Sequence, residues 1–369
     1  MAVTQQGPAA KTLRVRGGFA EVNALFLERG WTDGLPIVPP TEAAVAEMLA
    51  WTDHDPRAVI GVLPPRQGEA TVEKIAINAV MAGCEPRYLP LVIASIQAIA
   101  DPRFNADAMQ ATTHPCAPLL IFNGPLAREA GINSGYNCYG QGFRANATIG
   151  RAVRLILMNI GGGLPGSGDR STQGSPAKYS YCVAENEEAN PWEPLHVELG
   201  YEPWISTVTA LAAEGPHNIQ DHYSNTGEGI LRTIAGAMGQ AGSNNILSHG
   251  TPLLTLGPEH AATLARDGIS KSEIKRYIYE HARFPARRLS HEALLGIRER
   301  VSDVDPDDPE ATCGIVDRPE DVLVIVAGGA GKHSSWQPTF GNFVAPVTVP
   351  IARADGTPLR SLTEARRDA

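Results

Sequence analysis

Residues 114–133 read HPCAPLLIFNGPLAREAGIN, and residues 249–270 read HGTPLLTLGPEHAATLARDGIS. Each segment opens on a histidine, passes a proline, runs through a short apolar stretch, turns at Gly-Pro and continues as a helical pattern stopped by glycine. A brief apolar run bounded by turn residues has the signature of a strand covered on both faces. Proline after the turn suits the first position of a helix. A helix with an arginine near its middle follows each copy, TIGRAVRLIL in one and SEIKRYIYEHA in the other. The pairing predicts an α/β fold of two related halves, residues 55–200 and 201–345, facing each other across a cleft. An N-terminal arm with helices (1–54) and a C-terminal tail (346–369) flank them. Ligand sites favour such junctions.

Composition agrees with that reading. The 369 residues are 43% hydrophobic and 19% charged, which is enough for a generous core. The 37 glycines and 29 prolines fall in turns, as the many short loops of an α/β fold require. A net charge of −9 without a basic stripe speaks against nucleic acid as a partner. No apolar run of membrane-spanning length occurs, and the first fifteen residues lack the apolar centre of a signal peptide. Five cysteines, at 84, 116, 138, 182 and 313, form no CxxC pair, which points to a reducing, cytoplasmic setting. A homo-oligomer is expected, to cover apolar helices. Two irregular segments, 133–146 (NSGYNCYGQGFRAN) and 161–176 (GGGLPGSGDRSTQGSP), are long for a compact domain; they read as functional loops or as plain surface. The second precedes a strand-like KYSYCVA.

Met81-Ala82-Gly83-Cys84-Glu85-Pro86 joins two helical patterns. Gly83 is a stop and Pro86 a start, so Cys84 is expected beside free N–H groups that favour a thiolate. The competing reading is a buried cysteine that packs. Of ten histidines, six lie beside loop-forming residues: His114, His217, His222, His249, His260 and His333. Cys84 with His114, and His249 as the repeat counterpart, would form a nucleophile–base set. Glu185, at the end of KYSYCVA, is a candidate acid or base, or else a solvated helix start. Lys178 and Tyr179 stand next to the 161–176 loop, and Asn146 stands at the start of a helix; all three join a substrate-binding set.

Glu214-Gly-Pro-His217-Asn218-Ile-Gln-Asp221-His222 offers either His217 and Asn218 as substrate donors or Glu214, His217 and His222 as ligands of a divalent metal such as zinc or manganese. The spacing is not that of HExxH. No cofactor is otherwise implied. Gly328-Gly-Ala-Gly-Lys332-His333-Ser334 follows the strand DVLVIVA. It is not a P-loop, but its amides with Lys332, His333 and Ser334 would suit a small anion, or the segment is only a tight turn.

MAGCEPRYLPLVIA, together with WTDGLPIVPPT, QATTHPCAPLLIFNGP, RANATIGRA, CVAENEEANPWEPLH, AEGPHNIQDH and VAGGAGKHS, resembles a bacterial family related to the UGSC-motif (seleno)proteins. The likeness runs from about Gly30 to Phe343. The resemblance implies thiol or selenol redox chemistry in the motif-bearing relatives, whereas Cys-Gly-Ser-Cys is missing here. The sequence thus predicts an enzyme acting on a small polar or carboxylate-bearing substrate by cysteine- and histidine-assisted hydrolysis or addition–elimination. A metal-dependent hydrolase or lyase, and a non-catalytic partner subunit of a UGSC-type oxidoreductase, are the alternatives.

Overall fold

A computed structural model describes residues 10–301, 304–305 and 307–367. The first nine residues of the expected arm and the last two of the tail lie outside the described residues.

Eight strands form two four-stranded sheets: β1 (Ala117–Asn123), β2 (Cys182–Ala184), β3 (Thr207–Ala213), β4 (His217–Gln220), β5 (Leu253–Leu256), β6 (Leu323–Val326), β7 (His333–Gln337) and β8 (Val347–Pro350). Their orders are β8-β3-β1-β2 and β6-β5-β7-β4. In each sheet the strand after the histidine has a parallel neighbour on one side, β1 with β2 and β5 with β6. Its other neighbour is antiparallel, β3 for β1 and β7 for β5. The fourth strand of each sheet arrives from the other one: β4 follows β3 but pairs with β7, and β8 follows β7 but pairs with β3. Where the two connections cross, Ala213 bridges Thr339, and Glu214 N–H donates to Pro338 O at 2.8 Å. Boundaries at residues 200 and 345 therefore cut through the first sheet, because β3 and β8 lie beyond them.

Alternation along the strands sets the layers. Leu120 and Phe122 join the core formed with helices α1 (Val72–Ala82), α2 (Leu89–Ala100) and α3 (Arg144–Asn159). Leu119 and Ile121 point the other way and share a buried cluster with Leu211, Leu253, Leu323 and Ile325. Beyond the second sheet, Leu254, Val324 and Trp336 pack with helices α4 (Gly227–Met238), α5 (Pro258–Arg266) and α6 (Lys271–His281). The order of layers is helix, sheet, sheet, helix. Each fully buried Leu, Ile or Phe contributes about 1.5–3 kcal/mol, so two apolar sheet faces close on each other. The space between the sheets is thus filled with side chains, which corrects the expectation of a cleft there.

Local signals explain the helices that carry the site. Thr71 caps α1 by accepting from Lys74 N–H, and Gly83 ends it in the left-handed conformation (φ +89°). Ser270 and Glu273 form a capping box on α6. The expected strand KYSYCVA is reduced to Cys182–Ala184, because Pro176–Lys178 folds as a 3-10 turn. Among the described residues no helix is long and apolar enough to cross a membrane.

Candidate functional site

Cys84 does not occupy a helix start. Its N–H donates to Ala79 O at 3.0 Å and Gly83 N–H to Val80 O at 2.9 Å, closing the C-terminus of α1. The nearest helix end is therefore the carbonyl end, which disfavours an anion. Burial pushes the thiol up to about 12, and the Thr148 hydrogen bond and the charges of Arg144 and Arg151 only partly oppose this. The expected activated thiolate is corrected to a packed, neutral thiol. All five cysteines are buried and none forms a disulfide. Native protein at pH 8 should accordingly consume no thiol reagent on the timescale of a free cysteine, and urea-unfolded protein should consume five equivalents.

His114 lies three residues before Ala117, and Glu214 one residue after Ala213, where Ala117 and Ala213 pair in the ladder. The antiparallel register therefore carries the two side chains to one place. His114 Nε2 meets Glu214 Oε1 at 2.8 Å, and His217 Nε2 meets Glu214 Oε2 at 3.2 Å. Gln240 donates to His217 Nδ1 at 2.9 Å, which leaves the Nε2 proton of His217 for Glu214. The Tyr181 hydroxyl donates to the Glu214 carbonyl at 2.8 Å. His114 stacks on Phe340 with centroids 5.5 Å apart, while His217 meets Trp336 edge-on at 5.5 Å. His114 Nδ1 is buried and has no partner among the described residues. His217 is the open end of the group, with 37% of its side chain exposed against 8% for His114.

Burial by itself would raise the Glu214 carboxyl. The hydrogen bonds and charges of His114 and His217 outweigh it and bring the group from 4.5 to about 2. A depressed carboxylate stabilises the fold above its unfolded-state value, and that contribution is lost as pH falls toward the folded-state value. Thermal unfolding of wild type and Glu214→Gln should therefore differ at pH 7 and converge between about pH 5 and 2.

His249 occupies a second carboxylate–histidine pair. Its Nδ1 lies 2.7 Å from Asp317 Oδ1, and Asn342 donates to Asp317 Oδ2 at 3.1 Å. His249 Nε2, like His114 Nδ1, is buried without a partner among the described residues. The backbone of His249 is held at φ +50°, unusual for a residue with a Cβ and common at functional positions. Asn245 fixes it by donating to the His249 carbonyl at 2.9 Å. Burial raises the Asp317 carboxyl, and the His249 and Asn342 hydrogen bonds bring it below its ordinary value. Residues 339–342 lie between the two pairs: Phe340 covers His114, Gly341 abuts Ser248 and His249, and Asn342 holds Asp317.

Most of the other expected site residues are engaged structurally. Glu185 is buried and accepts from Asn123, Asn190 and Leu195 N–H, and burial raises its carboxyl. Asn146 bonds the backbone of Asn133, Cys138 and Cys182 and so shapes the 133–146 loop. Lys332 reaches the carbonyls of His222 and Ser224 and the side chain of Asn225 rather than opening toward an anion. Ser334 is tied to His260 and Gly257, and His333 to Asn218. Tyr179 is exposed. Lys178 pairs with Asp169. For the metal alternative, His222 lies against His333 at 4.8 Å while His217 lies against Glu214 and Trp336, so the three do not converge. Among the described residues no group of three His, Cys, Asp or Glu is arranged to hold a metal ion.

Sequence reasoning missed Asp317, Gln240, Phe340, Arg154 and Asp169. Asp169, inside the glycine-rich 161–176 segment, and Arg154, inside TIGRAVRLIL, stood in stretches that the sequence marked. Compared with protein-family models, curated proteins and solved structures, the chain matches none.

Proposed function

We propose that the protein is an acid–base enzyme acting on a small polar or carboxylate-bearing molecule, by addition–elimination or hydrolysis. One observation carries this reading: two histidines each give one ring nitrogen to a carboxylate and keep the other buried, without a partner among the described residues. A carboxylate fixes the tautomer and stabilises the imidazolium, so the second nitrogen is the one that exchanges a proton. His114 Nδ1 takes a proton from the substrate or from water, and Glu214 holds the resulting charge. His217, on the other Glu214 oxygen, links that charge to solvent. His249, backed by Asp317, is the counterpart that returns a proton to the leaving group. Cys84 has no part in this scheme.

The shared strand arrangement and the two histidines support an origin of the halves by duplication, with the fourth strands exchanged. Kinship with the UGSC-related proteins belongs to the same proposal and rests on the motifs quoted above. Five cysteines without a disulfide suit a cytoplasmic setting. The buried thiols also favour one second reading, a partner subunit to which a UGSC-type protein supplies the reactive sulfur or selenium. Purified protein, His114→Gln and His249→Gln should be screened against small hydroxy, unsaturated and ester-bearing carboxylates. Turnover by wild type and its loss in both variants are expected. Turnover retained by both would sink the acid–base reading, and activity only with a co-purifying UGSC-type protein would replace it.

A further inference from the structure

The 161–176 loop covers an unbalanced set of buried charges. Arg154, on α3, is 6% exposed. Its Nε donates to the Lys178 carbonyl at 2.7 Å, and its Nη1 stands 3.7 Å from Asp169 Oδ2, beyond hydrogen-bond range. Its Nη2 is buried and meets no acceptor among the described residues. Asp169 has both oxygens engaged by Lys178 Nζ, at 2.8 and 2.6 Å. Two cations thus share one carboxylate. The other acids nearby are spoken for: Asp33 accepts two bonds from Arg151 at 2.8 Å and further bonds from Thr32 and Leu35 N–H, and Glu214 lies between its histidines. Burying a surplus positive charge is costly unless an anion balances it.

A neutral donor stands in the same turn. Ser175 precedes Pro176–Lys178, makes no capping bond there, and its Oγ is buried without a partner among the described residues. The loop is bonded to the segment that leads into His114: Arg170 N–H donates to Gln110 O at 3.1 Å, and Thr172 N–H to Thr113 O at 3.0 Å. Gly163 packs against the side chain of Gln110, which a Cβ there would have to displace. Thr113 immediately precedes His114, so the loop that carries Asp169 is tied one residue away from the His114–Glu214 pair.

We propose that Arg154, Lys178 and Ser175 form a binding site for the carboxylate group of a small organic acid, placed beside His114 by the 161–176 loop. It deepens the acid–base reading by naming the group that anchors the substrate. A carboxylate group brings the single negative charge that the cluster lacks, and succinate carries its second charge at the far end of its chain, whereas a phosphate dianion concentrates two charges on the one group that would enter. Binding is read by thermal shift and calorimetry with acetate, succinate and inorganic phosphate, against chloride at equal ionic strength. Acetate or succinate should stabilise wild type in a saturable way, with phosphate weaker. Lys178→Met neutralises the surplus and should weaken carboxylate binding by about tenfold or more. Asp169→Asn enlarges the surplus and should tighten it, a gain that misfolding cannot produce. No carboxylate effect beyond chloride, wild-type affinity in Lys178→Met, or phosphate bound more tightly than either carboxylate would overturn the proposal. His114→Gln separates the two readings: carboxylate binding retained without turnover upholds both, whereas turnover in wild type without carboxylate binding removes only this one.

Discussion

Glu214→Gln is expected to lower kcat/KM by about 10²–10⁴-fold on whatever substrate the protein turns over, with the chain still folded at neutral pH. Glu214 accepts from two imidazoles, at 2.8 and 3.2 Å. A glutamine accepts from one and presents an N–H to the other. That second ring must then turn an unprotonated nitrogen toward the amide. If it is His114, its proton moves to Nδ1 and the base is lost. If it is His217, the bond from Gln240 to its Nδ1 is opposed instead. Either way the imidazolium loses its countercharge. Long-range ¹H–¹⁵N spectra of the histidine rings report the tautomer directly, so a structural loss is separable from a chemical one. Unchanged tautomers together with unchanged kcat/KM would remove Glu214 from the mechanism.

Ile325→Ala should destabilise the protein by about 2–5 kcal/mol, measured by chemical unfolding. Ile325 is fully buried in β6 and belongs to the cluster shared by both sheets. Truncation there leaves a cavity that two rigid sheets cannot collapse to fill. Ile121→Ala, on β1 in the same cluster, should behave alike. Had the sheets enclosed an open, wetted cleft, a residue lining it would have changed stability by about 0.5 kcal/mol or less. The experiment therefore reports on how the two sheets meet.

The strand–Gly-Pro–helix units were legible because their signals are local. Pro125 and Pro258 open helices, and the apolar runs before them are buried strands. Gly83 was legible as a helix stop, yet the bond of Cys84 N–H to Ala79 O reversed the electrostatics inferred from it. His114 and His249 were legible as a pair, but their partners were not. Glu214 stands 100 residues from His114, and Asp317 stands 68 from His249. Lys332 looked free in sequence and is held by the carbonyls of a segment more than a hundred residues away.

The sequence alone determined the two strand–Gly-Pro–helix units and the histidine that precedes each of their strands. Turn chemistry and the spacing of apolar residues are written into neighbouring side chains. Only the tertiary structure decided that β4 and β8 change sheets, that the sheets close on each other, and that two histidines meet carboxylates while Cys84 meets none. Strand pairing is made by backbone N–H and C=O groups, which are alike in almost every residue and leave no mark in the sequence of which strand they will meet.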